Sequence, residues 1–227
     1  MKASKFTVFL MGVLMLLSGC NMNNTTKGGL IGAGGGALLG GLIGNFAGNT
    51  AIGAAIGGAV GAGAGVLIGK KMDKAKAAVA QEVPQAQVEE VQDKNGLKSV
   101  KVTFDSGILF ATNKADLSEA AKASLLKFSS VLKQNTDMDV SIYGHTDSTG
   151  SDKINNPLSL NRAMAVQQYL AGCGVADRQI KSVLGKGSTE PVASNETKEG
   201  RAQNRRVEVY LYASEAMIEA AQKEAGI

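Results

Sequence analysis

From Gly28 onward a glycine recurs at every fourth position, through Gly32, Gly36, Gly40, Gly44 and Gly48, and a second series, Gly53, Gly57, Gly61, Gly65 and Gly69, repeats the spacing one residue out of phase. A four-residue period sets these glycines along one slowly drifting helix face, where two backbones can approach closely. The slip falls at Asn49-Thr50 and divides the run, residues 28–70, into a hairpin of two helices. At ~1.5 Å per residue, about twenty residues cross ~30 Å of hydrocarbon. Leu30, Leu38, Leu42, Ile52, Ile56, Val60 and Ile68 cover the rest of the hairpin surface. A flexible linker is the competing reading, because glycine costs ~1 kcal/mol relative to alanine in a helix. Composition opposes it: residues 28–69 hold no charged side chain, and the positions between glycines are mostly Ala, Leu, Ile and Val. Insertion into a bilayer and self-packing into a homo-oligomer use the same pattern, and both readings stand.

Ahead of the ladder, Lys2 and Lys5 precede an apolar run over residues 6–17, which ends in Leu17-Ser18-Gly19-Cys20. This is the pattern of an export signal, and the run is too short to span a bilayer comfortably as an uncleaved anchor. The small residues before Cys20 resemble a lipobox. That resemblance implies a signal peptide over residues 1–19, a lipidated N-terminus over 20–27 with the lipid on the Cys20 thiol, and, with Asn21 rather than an aspartate next, delivery to the outer membrane. Cys173 is then left without an intrachain partner, so stability rests on packing rather than a disulfide framework. The net charge of +4 is a small excess that suits anionic surfaces, and no RRM, zinc-knuckle or helix-turn-helix pattern points to nucleic acid.

Residues 71–96 read as a connector followed by the start of a hairpin. Met72, Ala75, Val79 and Val83 fall at helical spacing among Lys70, Lys71, Lys74 and Lys76, whose face lies on solvent or on lipid headgroups, and Pro84 stops the pattern. Residues 88–92 and 97–104 alternate apolar and polar positions around Asp93-Lys94-Asn95-Gly96, an Asn-Gly turn that favours a β-hairpin. Asp116-Leu117-Ser118-Glu119 opens a helix with Leu117, Leu125, Phe128, Val131 and Leu132 on one side. Strands follow at 138–143, 180–185 and 206–212, with a helix at 158–170 that starts around Pro157. This order predicts an α+β fold, one mixed sheet with helices packed on it, over residues 97–213. Residues 214–227, with Ala216, Met217, Ala220 and Ala221, read as an amphipathic helix without an identified partner.

Asp147 lies on the glycine-bounded loop GHTDSTG, and Arg162 follows fifteen positions later. An acid and a planar guanidinium held a few ångströms apart can grip a zwitterion, although spacing alone equally allows a structural salt bridge. The stretch GHTDSTGSDKINNPLSLNR, followed by KEGRAQNRRVEVYL, resembles the OmpA-like peptidoglycan-binding domain over roughly residues 97–213. The resemblance implies a βαβαβ sandwich and a pocket for meso-diaminopimelate of stem peptides, with Asp147 taking the ammonium and Arg162 the carboxylate. It also implies that Asn113, Thr146, Thr149, Asn155 and Arg205 line the site. Many relatives carry an acid at the position of Ala111, so one polar contact is expected to differ. Residues 28–70 are similar to glycine-zipper regions that precede such domains in some outer-membrane lipoproteins.

His145, Asp147, Ser148 and Ser151 invite a hydrolase reading, but they crowd into one loop without a GxSxG elbow or a second histidine. A lone histidine also leaves a zinc site without its usual company, so no metal or cofactor is expected, and His145 is expected to pack and hydrogen-bond at a strand end. An inner-membrane stator-like or ion-coupled anchor is the second rival; the glycine hairpin contains no acid for such a role. The expectation is therefore a non-enzymatic outer-membrane lipoprotein, its C-terminal domain in the periplasm, anchored noncovalently to peptidoglycan.

Overall fold

The computed structural model describes residue 60 and residues 62–227 apart from 94 and 112. Cys20, and the glycine ladder through Gly57 together with Gly61, lie outside the described residues. Five strands, β1 (Gln87–Gln92), β2 (Lys98–Asp105), β3 (Met138–Gly144), β4 (Ile180–Gly185) and β5 (Arg206–Ala213), form one sheet in the order β1-β2-β5-β3-β4. Only β3 and β4 run parallel. The helices are α1 (Ala62–Glu82), α2 (Ser106–Leu109), α3 (Glu119–Gln134), α4 (Asp152–Gly172), α5 (Lys198–Asn204) and α6 (Glu215–Glu224). The α+β fold with a mixed sheet is the one the sequence predicts.

Alternation along each strand decides the two faces. Val207, Val209, Leu211 and Ala213 of β5 join Val100, Val102 and Phe104 of β2 and Met138, Val140 and Ile142 of β3 in one core. Leu125, Phe128 and Leu132 of α3 and Ala163, Val166 and Leu170 of α4 close that core, and Phe104 meets Phe128 edge-on at 5.6 Å. Arg206, Glu208, Tyr210 and Tyr212 alternate onto the other face of β5, where Tyr143, Tyr210 and Tyr212 form a second, smaller cluster. The β1–β2 hairpin pairs Gln92 with Lys98, and Asp93 organises its turn by accepting from the backbone N–H groups of Asn95 and Leu97, both at 2.8 Å.

Two helical expectations need correction. The helix placed at Pro157 begins five residues earlier, at Asp152, so Pro157 lies inside α4 rather than at its first position. The lost bond is a single one, from position 157 to the carbonyl of Lys153, and the helix continues because its buried face, Asn155, Ser159, Arg162, Val166 and Leu170, is pinned to the domain. Arg162 therefore sits in the third turn, away from the unsatisfied N–H groups of the helix start.

The second correction concerns α1. It runs through the expected boundary between glycine hairpin and connector, and Ala64, Ile68, Met72, Ala75, Val79 and Val83 are buried in the domain core. Ile68, expected on the outer hairpin surface, is 0% exposed, whereas a Cβ at Gly65 would meet nothing within 4 Å. Here the apolar stripe, not the glycine face, makes the contact. Lys71 pairs with Asp137 at 2.6 Å and Lys98 with Asp73 at 2.9 Å, so part of the charged face is used on the domain itself. The terminal helix α6 packs against α1, with Met217, Ile218 and Ala221 buried. Among the described residues, no helix is long and apolar enough to cross a membrane.

Candidate functional site

Three strand ends and one helix build the site. Because β5 pairs antiparallel with both β2 and β3, Asp105 lies opposite Arg206 and Gly144 opposite Val207, which brings the ends of β2 and β3 beside the start of β5. The residues just beyond those ends, Ser106, Thr146, Asp147 and Arg205, meet there, and α4 adds Asn155 and Arg162. With Asn113 and Thr149 they line a cavity of about 610 Å³. All seven residues expected at the ligand site share this cavity, whose apolar part comes from Phe110, Ile154 and Leu158.

The distance between α4 and the sheet is set by glycine. A Cβ on Gly144 would lie 2.0 Å from the carbonyl oxygen of Ser159, and one on Gly185 would lie 2.5 Å from the backbone nitrogen of Leu160. Gly144 and Gly185 are paired across β3 and β4, so the helix rests directly on backbone one turn before Arg162.

The Asp147 loop is closed on itself. The Thr149 backbone N–H donates to Asp147 Oδ1 at 2.8 Å, and the Thr149 hydroxyl donates to the same oxygen. Gly150 completes the turn at φ +87°, a conformation costly for other residues. Asn155 Nδ2 donates to the carbonyls of Asp147 at 3.3 Å and Thr149 at 3.1 Å, so Asn155 braces the loop as well as lining the cavity. Asn113, on the opposite wall, holds φ 57°, where asparagine is better tolerated than most residues.

Asp147 and Arg162 do not form the salt bridge that their spacing allowed. Asp147 accepts from Arg205 Nη1 at 2.6 Å, whereas Arg162 Nε donates to the Lys114 carbonyl at 3.0 Å and the guanidinium stands 5.2 Å over the Phe110 ring. Arg162 is 3% exposed, and its terminal Nη groups have no hydrogen-bond partner among the described residues. Burial pushes the Asp147 carboxyl up, but the hydrogen bonds from Thr149 and Arg205 outweigh it and hold the group below the usual carboxylate range. For Arg162, burial is the main cause of a lowered pKa, Arg205 adds to it and Asp147 opposes it; a guanidinium so lowered remains a cation at neutral pH. The geometry thus presents a fixed anion and an unpaired cation on separate supports.

His145 stands behind this site and does not line the cavity. It is 1% exposed, packed at the end of β3, with Nε2 3.5 Å from Glu208 Oε2, a contact at the outer limit of a hydrogen bond. Glu208 also accepts from Arg206 Nε and from the Tyr210 hydroxyl, each at 2.7 Å. Burial raises the Glu208 carboxyl, yet His145, Arg206 and Tyr210 together hold it far below the usual range. Among the described residues, no cluster of His, Cys, Asp and Glu is arranged to hold a metal ion. Ser106 also lines the cavity and was not foreseen, since it precedes the motifs and only strand pairing brings it to Arg205, whose carbonyl accepts from the Ser106 N–H at 3.1 Å.

A five-stranded mixed sheet with helices on one face and an acid–arginine cavity at its end defines an OmpA-like domain. Residues 109–205 match the OmpA family, and residues 1–73 match the YMGG-like Gly-zipper; the chain carries an OmpA family domain behind a glycine-zipper segment. Over 104 residues it is 48% identical to the peptidoglycan-binding protein ArfA of Mycobacterium tuberculosis, covering 46% of this chain and 32% of ArfA. It is 37% identical over 113 residues to the probable lipoprotein YiaD of Escherichia coli K12, covering 50% of this chain and 51% of YiaD. The chain thus spans about a third of the length of ArfA and about half that of YiaD. The cell wall anchor of the T6SS from Pseudomonas aeruginosa superposes with a TM-score of 0.51 at 30% identity, over 63% of this chain and 97% of that one. A putative MotB-like protein from Desulfovibrio vulgaris shares the fold at 24% identity and a TM-score of 0.53, over 66% of this chain and 92% of that one.

Proposed function

We propose that this protein is a noncovalent tether between the outer membrane and peptidoglycan, and that its cavity receives the zwitterionic end of meso-diaminopimelate in a stem peptide. The observation that carries this reading is the pairing of a pre-bonded Asp147 with a buried Arg162 whose Nη groups are open to the same cavity. A ligand carboxylate takes the bidentate fork of Arg162, and the ligand ammonium shares Asp147 with Arg205. The names of ArfA and YiaD, one a peptidoglycan-binding protein and the other a probable lipoprotein, support the two ends of the tether. Lipid on Cys20, with the glycine-zipper segment, supplies the membrane end. The role is binding, not turnover.

Co-sedimentation with diaminopimelate-type sacculi tests the wall end. Asp147→Ala and Arg162→Ala are each expected to stay in the supernatant while keeping the wild-type circular dichroism spectrum; wild-type pelleting of both would refute the site. Palmitate labelling lost on Cys20→Ala, together with recovery in the outer-membrane fraction, tests the other end. Unlabelled protein found with inner-membrane markers would favour the stator-like alternative.

A further inference from the structure

We infer that Ser106 is a ligand-binding residue of this cavity, its hydroxyl acting with that of Thr146 beside Arg162 on the ligand's carboxylate; the inference rests on the diaminopimelate reading of the site. Ser106 is 2% exposed and Thr146 5%, and both line the cavity. Neither Oγ has a hydrogen-bond partner among the described residues. Their backbone N–H groups are engaged, that of Ser106 with the Arg205 carbonyl at 3.1 Å and that of Thr146 with the Gly187 carbonyl at 2.8 Å, so the donors left over are the hydroxyls.

Three other buried serines behave differently: Ser124, Ser129 and Ser159 each donate to a carbonyl within their own helix, at 2.9, 2.7 and 2.9 Å. Ser99 Oγ and the Tyr143 hydroxyl are left over like Ser106 and Thr146, but neither residue lines this cavity. A buried hydroxyl without a partner disfavours the folded state, so two of them on one cavity wall, from two different strand ends, mark a place where a ligand atom completes the set. The chemistry of that atom follows from what is already occupied. Asp147 accepts from Thr149 and Arg205, whereas the groups left over among the described residues include the Nη donors of Arg162 and two O–H donors. Their complement is an acceptor with several lone pairs beside a cation, which is a carboxylate.

The test is a calorimetric titration of the full chain in detergent with a muropeptide carrying meso-diaminopimelate, alongside thermal melts without ligand. Ser106→Ala is expected to bind roughly 12- to 150-fold more weakly, the loss of one hydrogen bond to a charged group, while its ligand-free melting temperature stays level or rises. Thr146→Val, which removes the other hydroxyl at near-constant shape, is expected to show the same pair of signs. Wild-type affinity in Ser106→Ala, or a fall in melting temperature that accompanies the loss of binding, would overturn the inference. The outcomes separate it from the reading beneath it. If wild type binds, Arg162→Ala does not and Ser106→Ala matches wild type, only the role of Ser106 falls. If wild type fails to bind the muropeptide, the site reading falls and takes this inference with it.

Discussion

Adding one methyl group at Gly144 is expected to disable the site without touching any residue that lines it. The new Cβ would sit 2.0 Å from the Ser159 carbonyl oxygen and 2.9 Å from its carbon, both backbone atoms of α4 that no rotamer change can move. Ordinary contact begins at 3.4 Å, so the helix must retreat by about 1.4 Å. Arg162 lies one turn further along α4 and travels with it, well beyond the ~0.5 Å within which a binding constellation keeps its geometry. Overpacking of this kind costs about 1–3 kcal/mol or more, which for a domain of this size lowers the melting temperature by roughly 2–12 °C. Gly65→Ala is the matched control. That Cβ meets nothing within 4 Å, and in a helix alanine is favoured over glycine by ~1 kcal/mol, so the melting temperature is expected to rise by about 2–4 °C. Thermal melts by circular dichroism and sedimentation with sacculi read both variants. A Gly144→Ala protein that melts and pellets like wild type would refute the claim that this contact positions Arg162.

Two carboxylates on the second sheet face are expected to respond to pH with opposite signs. Glu208 has a folded pKa depressed below its ordinary 4.5, so its stabilisation is present above about pH 4.5 and is lost as pH falls through the folded value; Glu208→Gln should flatten that acid limb in urea unfolding. The same change strands the buried Arg206 and should cost about 3–5 kcal/mol at pH 7. Asp139 is pushed up to about 6 by burial, against the pull of Lys181, so its contribution is present below pH 3.8 and lost as pH rises through 6. Asp139→Asn is therefore expected to be more stable than wild type at pH 7.5, by on the order of 1–3 kcal/mol, with the gap closing below pH 4. Asn155→Ala releases the two carbonyls that brace the Asp147 loop and is expected to weaken binding to sacculi with only a small change in melting temperature.

The parts of the fold legible in the sequence were those written in local periodicity. Alternation located all five strands to within a residue or two, Asn95-Gly96 located the hairpin, and Ser118 marked the start of α3, where its hydroxyl caps the Ala121 N–H. The seven cavity residues were legible because they lie in dense motifs. What stayed hidden depends on which distant segments meet. Nothing near Asp147 distinguishes Arg162 from Arg205 as its partner, and the choice is made by β5 pairing with β3. Pro157 suggested a helix start because proline is favoured at the first position, but tertiary packing of Asn155 and Ser159 carries the helix five residues further back. Local pattern divides the stripe from Ala64 to Val83 between the glycine hairpin and the connector, since its partners in β2, α3 and α6 lie far away in sequence.

On the proposed zwitterion reading, the separation of the two charges is the physical point of this site. Had Asp147 and Arg162 paired directly, each would have been satisfied, and a zwitterion would have had to break a buried salt bridge before it could bind. Instead each charge is held by a group that orients it and leaves it able to act. Arg205, whose side chain is 39% exposed, fixes the Asp147 carboxylate through a bond that solvent weakens, so it can be shared with an incoming ammonium. Arg162 is held by a neutral carbonyl and an aromatic face, which aim the guanidinium without neutralising it. The cation is kept out of water by a helix that glycine allows to rest on the sheet, and the anion is kept in its rotamer by its own loop. Recognition as proposed then requires no rearrangement of either support, only the arrival of a ligand whose two charges are spaced to reach both.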